Sequence, residues 1–131
     1  MSDESQFSEQ EEISKLISKT NKRAAYLNQL EHARREFKVK TTFAWEGNFF
    51  TLDYALLSYV LLQYNLQNNV SEHVEYPGII LINSDGLPLL VEDVDAFLDE
   101  AQRVYHTALN RYHDKVRKLK DAETLEELYK V

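Results

Sequence analysis

The chain has 131 residues, 44% of them hydrophobic and 28% charged, with a formal net charge of −7. That apolar share is enough for one folded domain and excludes disorder at this net charge. The absence of cysteine excludes disulfides and thiolate metal centres. An acidic, polar start (Met1-Ser2-Asp3-Glu4) is unlike a secretory signal, and the longest apolar run, about Ala55 to Leu62, is far too short to span a bilayer. The expectation is a protein that uses neither membrane nor ordinary export.

Charge is unevenly distributed. Residues 1–12 hold five acids and no base, and residues 13–40 hold eight Lys/Arg against two Glu. Residues 41–102 hold ten acids and no Lys or Arg, and residues 103–131 hold seven bases against five acids. An acidic middle between two basic ends favours internal complementarity or a protein partner. Overall acidity disfavours nucleic acid.

Residues 1–8 read as a flexible acidic tail. Ser8 with Glu11 fits a capping box, opening a helix over about 9–36. Ile13, Leu16, Ile17, Ala24, Leu27, Leu30 and Ala33 recur along it at three- and four-residue spacing, as one narrow stripe backed by Lys15, Lys19, Lys22, Arg23 and Arg34. So narrow a stripe fits a coiled-coil-like or docked helix. The candidate partner-binding residues are therefore Ile13, Leu16, Ile17, Lys19, Arg23, Leu27 and Leu30, on a docking helix bounded by residues 9–37.

A folded domain over 38–131 follows. Val39, Thr41, Phe43 and Trp45 approach a Glu46-Gly47-Asn48 turn, and Phe49, Phe50 and Leu52 lead away from it. Gly and Asn take positive φ most cheaply, so this predicts a hairpin with a short bulged turn. Asp53 or Thr51 then caps a helix over about 53–67. Its residues are apolar on nearly every side, which predicts the buried centre of the domain. Pro77-Gly78 opens a strand, Ile79 to Ile82, turning at Asn83-Ser84-Asp85-Gly86 to a partner, Leu87 to Val91, that Pro88 pushes to an edge. Val94 to Leu119 form a continuous stripe of about seven turns, with acids at its start and bases at its end, as the helix dipole favours. Thr124 with Glu127 caps a last short helix. The fold class expected is α+β.

In this order, Trp45, Gly47, Asn48, Phe50 and Asp53, the strand pair Ile80 to Leu90, the long helix and the Thr124-Leu125-Glu126-Glu127-Leu128 ending resemble a small domain. That domain recurs in bacteriophage tail-fibre, tail-fibre-assembly and other virion-associated proteins. The resemblance covers about residues 41–131. The helix over 9–36 is additional, and a Trp often found in the second strand pair is absent. The resemblance implies a phage origin, a structural or assembly role in the virion or in the host cytoplasm, and no catalytic residues.

Enzyme chemistry finds little support. His106 and His113 lie two turns apart, roughly 10 Å along the axis, too far for one metal. Glu72, His73 and Glu75 form at most a weak loop site. There is no nucleophile elbow, and three glycines in all give no phosphate cradle. Asp85-Gly86 lacks the other ligands of a calcium loop. Phe43, Trp45, Phe49 and Phe50 could stack bases or sugars, but packing onto the helix behind the hairpin is favoured. The expectation is a non-enzymatic tail or virion protein, without cofactor or metal. It would dock amphipathic helices on other virion proteins, or on its own copy through residues 9–37. The alternative is a small phage-encoded acidic inhibitor of a host enzyme, its acidic middle mimicking DNA.

Overall fold

The protein is an α+β chain, seen in a computed structural model that describes the backbone of residues 2–69 and 78–131 and the side chains of residues 8–68 and 78–131. The elements run α1 (Ser2–Lys40), β1 (Thr42–Trp45), β2 (Asn48–Thr51), α2 (Tyr54–Asn69), β3 (Ile79–Ile82), β4 (Pro88–Val91), α3 (Val94–Asp121) and α4 (Leu125–Lys130). The strands form two separate antiparallel pairs, β1 with β2 and β3 with β4. The chain divides into two compact units, residues 36–111, and residues 1–35 with 112–131.

In the unit 36–111 the core is built from alternate strand residues and one helix stripe. Phe43, Phe50, Ile79, Leu81 and Val91 point inward from the strands, and Val60 of α2 joins Val94, Phe97, Leu98, Ala101 and Tyr105 of α3. Phe97 is fully buried, with Phe43, Trp45 and Phe50 edge-on to it at 5.3–5.6 Å between ring centroids. Edge-to-face geometry sets the positive ring edge against a negative face. Aromatic packing is thus the role of Phe43, Trp45 and Phe50, whereas Phe49 faces outward. The Nε1 of Trp45 is buried without an acceptor among the described residues.

The hairpins are tied together at Asn83 and Ser84. Asn83 is buried, and its Oδ1 accepts from the backbone N–H of Asp85 and of Leu87. Its Nδ2 donates to Asn48 Oδ1 at 2.8 Å. The N–H of Ser84 donates to the Phe49 carbonyl at 2.7 Å. One amide side chain therefore closes the β3–β4 turn and fixes it to β2.

The other unit has a much smaller core. Ala25 of α1, Leu119 of α3 and Leu128 of α4 are buried together, with Tyr26, Leu30, Ala122 and Val131 packed against them. Gln29 Nε2 donates to the Leu128 carbonyl at 3.2 Å. Thr124 caps α4 by accepting from the Glu127 N–H, while the Glu127 carboxylate accepts from the Glu123 N–H.

Several expectations change. Ser8 and Glu11 lie inside α1 and cap nothing, because the helix already runs from Ser2. At its other end α1 passes through Val39 to Lys40, so β1 begins at Thr42. The Thr41 N–H donates to the Phe37 carbonyl there, and its single hydroxyl proton is shared between the Phe37 and Lys38 carbonyls. The first hairpin is a two-residue turn without a bulge: Trp45 pairs with Asn48, and Glu46 and Gly47 both take positive φ. That is the twist-matched turn of tight hairpins. Asn48 joins the strand instead, donating its amide to the Glu46 carbonyl. Pro77 and the Glu72, His73, Glu75 group lie outside the described residues.

Candidate functional site

Two helix faces are the candidate site. In α1 every residue from Ser8 to Ala24 is exposed. Among the described side chains of α1 the first buried residue is Ala25, followed by Ala33, with Tyr26, Gln29 and Leu30 half-buried. At about 100° per residue, the docked face through Ala25, Gln29 and Ala33 points roughly 160° away from the line Ile13, Leu16, Ile17, Ala24 and Leu27. The single stripe expected from the sequence is therefore two stripes on opposite sides of one helix.

The predicted partner-binding residues divide accordingly. Ile13 (57% exposed), Leu16 (65%), Ile17 (54%) and Leu27 (48%) remain open, and Lys19 and Arg23 are exposed beside them. Leu30 instead packs against the Ala25–Leu119–Leu128 core, so it serves the fold. An open hollow of about 430 Å³ lies along α1 at Glu12, Lys15, Leu16, Ser18, Lys19 and Lys22.

The second face was not foreseen. The sequence expects α2 to be buried all round, but Val60 is its only described residue in the buried core, with Leu56, Leu57 and Tyr64 packed partly against it. Tyr54 (71% exposed), Tyr59, Leu61, Leu62 and Leu66 lie open. The cause is a shortage of layers: two two-stranded pairs and α3 cover one side of α2 and nothing described covers the other. Ala55, Tyr59, Leu62 and Leu66 follow the 4-3-4 spacing of a helix-docking seam. The missed signal was that a helix apolar all round, with no charge between Tyr54 and Asn69, lay in a chain too small to enclose it.

The hairpin β3–β4 adds to this apolar exposure. Ile80 pairs with Leu90 and Ile82 with Pro88, all four turned outward.

Charged groups near these faces have local roles. Asp53 Oδ1 accepts from the Leu56 N–H at the start of α2, and Asp93 Oδ1 from the Ala96 N–H at the start of α3. Glu100 pairs with Arg103, and Arg111 with Glu36 at 3.1 Å. A hydrogen bond to Asp95 holds the Tyr64 hydroxyl above its ordinary pKa. Burial does the same for Tyr105, with the Tyr54 and Asp53 charges adding to it. Asp53, Asp93, Asp95 and Glu100 thus act as caps or as partners of neighbouring side chains.

Among the described residues no three His, Cys, Asp or Glu side chains group as a metal site would need. His32, His106 and His113 are exposed and separate. No helix among the described residues is long and apolar enough to cross a membrane. The hollow of about 220 Å³ at Lys40, Arg103, Val104, Thr107, Ala108 and Arg111 contains two arginines already paired with carboxylates.

Comparison with protein-family models, with curated proteins and with solved structures returns no match.

Proposed function

We propose that the protein is a non-enzymatic bacteriophage tail- or virion-associated component that acts, in assembly or in the finished particle, by docking its helices on other proteins. The observation that carries the docking half is the outer surface of α1 and α2. Large apolar side chains stand open there at helical spacing, Ile13, Leu16 and Ile17 on one helix and Tyr59, Leu62 and Leu66 on the other. Fully burying such a side chain contributes about 1.5–3 kcal/mol, and covering the exposed half of each would supply a part of that towards association. Contiguous exposed apolar surface of this kind is characteristic of interaction sites. Lys19 and Arg23 beside the α1 face would select an acidic neighbour.

The phage half rests on the resemblance carried by Trp45 to Asp53, Ile80 to Leu90 and Thr124 to Leu128. The test is mass spectrometry on purified phage particles induced from the source strain, alongside the same lysate depleted of particles. A fixed copy number in particles supports a structural subunit. Presence only in complexes with unassembled tail proteins supports an assembly factor. Absence from both overturns the phage reading.

A further inference from the structure

The open half of α1 specifies its own partner. A helix segment with little tertiary cover is marginal in water, and every residue from 8 to 24 is exposed, with Lys22 and Arg23 at its end bordering a hollow that Leu119, Lys120 and Leu128 also line. α2 carries no charge, so nothing about its face distinguishes one apolar partner from another. α1 differs because the two flanks of its apolar line are chemically unlike. Glu12, Lys19 and Arg23 project along one flank, with Glu9 at the edge of the apolar line on that side, in the direction of Leu27, and Gln10, Ser14, Asn21 and Asn28 lie along the other, at about 100° per residue. All eight are exposed.

When two helices pair in parallel, opposite flanks meet. The charged flank would then face amides and a hydroxyl. When they pair antiparallel, like flanks meet, and the charged flank of one copy faces the same flank of the other. That side is acidic at its N-terminal end and basic seven to fourteen residues later, so reversing one copy sets Glu9 and Glu12 against Arg23 and Lys19. In the register that crosses Leu16 over Ile17 and Ile13 over Thr20, each of these pairs lies within about 3 Å of level along the axis. Sliding the copies to cross at Thr20 would bring Lys19 towards Arg23, like against like. None of the four charged side chains is ion-paired with a described residue.

We propose that the Ser8–Ala24 segment of α1 is an antiparallel pairing surface for a second copy of this chain, seamed by Ile13, Leu16 and Ile17 and oriented by Glu9 and Glu12 against Lys19 and Arg23. This rests on the docking reading above and deepens it. α1 makes the dimer, and the outer face of α2 stays available for another protein. Association of this kind weakens with salt, because the flanking pairs are solvent-exposed.

Light scattering on the full chain supplies the first readout, with far-UV circular dichroism to confirm that each variant is folded. The wild type is expected to be a dimer. Glu9→Lys with Glu12→Lys, and separately Lys19→Glu with Arg23→Glu, should each weaken it tenfold or more. An equimolar mixture of these two variants should recover a heterodimer. Orientation is read by crosslinking, which the cysteine-free chain makes clean. An oxidised mixture of Ile13→Cys and Thr20→Cys should give the mixed disulfide, while each variant alone gives little. A monomer at the highest soluble concentration, charge variants with wild-type affinity, or dominant 13–13 and 20–20 disulfides would each overturn the pairing. A chain that is monomeric yet present in phage particles fails this inference and keeps the docking reading.

Discussion

The two compact units bury apolar surface on very different scales. The unit 36–111 gathers twelve buried residues in one cluster, four of them aromatic. The unit formed by 1–35 and 112–131 gathers three, Ala25, Leu119 and Leu128. The first has two strand pairs and stretches of α2 and α3 to build with, so its interior closes on several sides. The second has only helix segments, one of which, residues 8–24, contributes nothing buried. Apolar residues at helical spacing are therefore necessary for a core but do not make one. A facing layer is also needed, and where it is missing the same residues stay open to solvent.

The comparison is broken most sharply by paired truncations. Phe97→Ala removes the ring on which Phe43, Trp45 and Phe50 converge and should cost about 3–5 kcal/mol. Leu119→Ala, in the small core, should fall at or below the low end of the aliphatic range, about 2 kcal/mol, because fewer neighbours lose contact. Urea unfolding of both variants checks the order. Equal losses would mean that the small core matters as much as the large one.

Asn83→Ala comes next, at about 2 kcal/mol, since it leaves the N–H groups of Asp85 and Leu87 and the Asn48 carbonyl oxygen without their partner. Hydrogen exchange should then rise at Asp85 and Leu87. Thr124→Ala removes the α4 cap and should cost about 1 kcal/mol. Its effect should appear as fraying of Leu125 to Lys130 in amide exchange.

The smallest effect concerns acid. Hydrogen bonds from Arg117, then Lys118, hold the Asp114 carboxyl below its ordinary range. A depressed folded pKa favours the native state above the ordinary aspartate range. That contribution is lost as pH falls through the depressed value. Carboxyl-carbon NMR should place the Asp114 midpoint below that of an ordinary aspartate. In Asp114→Asn the stability profile should lose that part of its acid slope.

Most of the fold was legible because its signals are local. β3, the Asn83–Gly86 turn, the Thr124 cap and the α3 stripe each follow from a few adjacent residues. The end of α1 was not, because Val39 and Thr41 favour a strand by propensity while the Thr41 N–H and hydroxyl turn back on the Phe37 and Lys38 carbonyls. The split face of α1 was hidden for another reason. Ala24 and Ala25 are equally apolar, and only Leu119 and Leu128 decide which of the two is buried. The exposed side of α2 was likewise invisible to periodicity, since a helix apolar all round does not say how many layers exist to cover it. Helical spacing picks out the open line Ile13, Leu16, Ile17 and Leu27 of α1, whereas it does not show which side of α2 is left open.

The most direct test of the central claim is amide hydrogen exchange across residues 8–24 of the full chain at low and high protein concentration. Self-association through this segment predicts protection that rises with concentration and is lost in Leu16→Asp, while exchange in the Phe97 core stays constant. Exchange at 8–24 that is independent of concentration and indifferent to Leu16→Asp would contradict it.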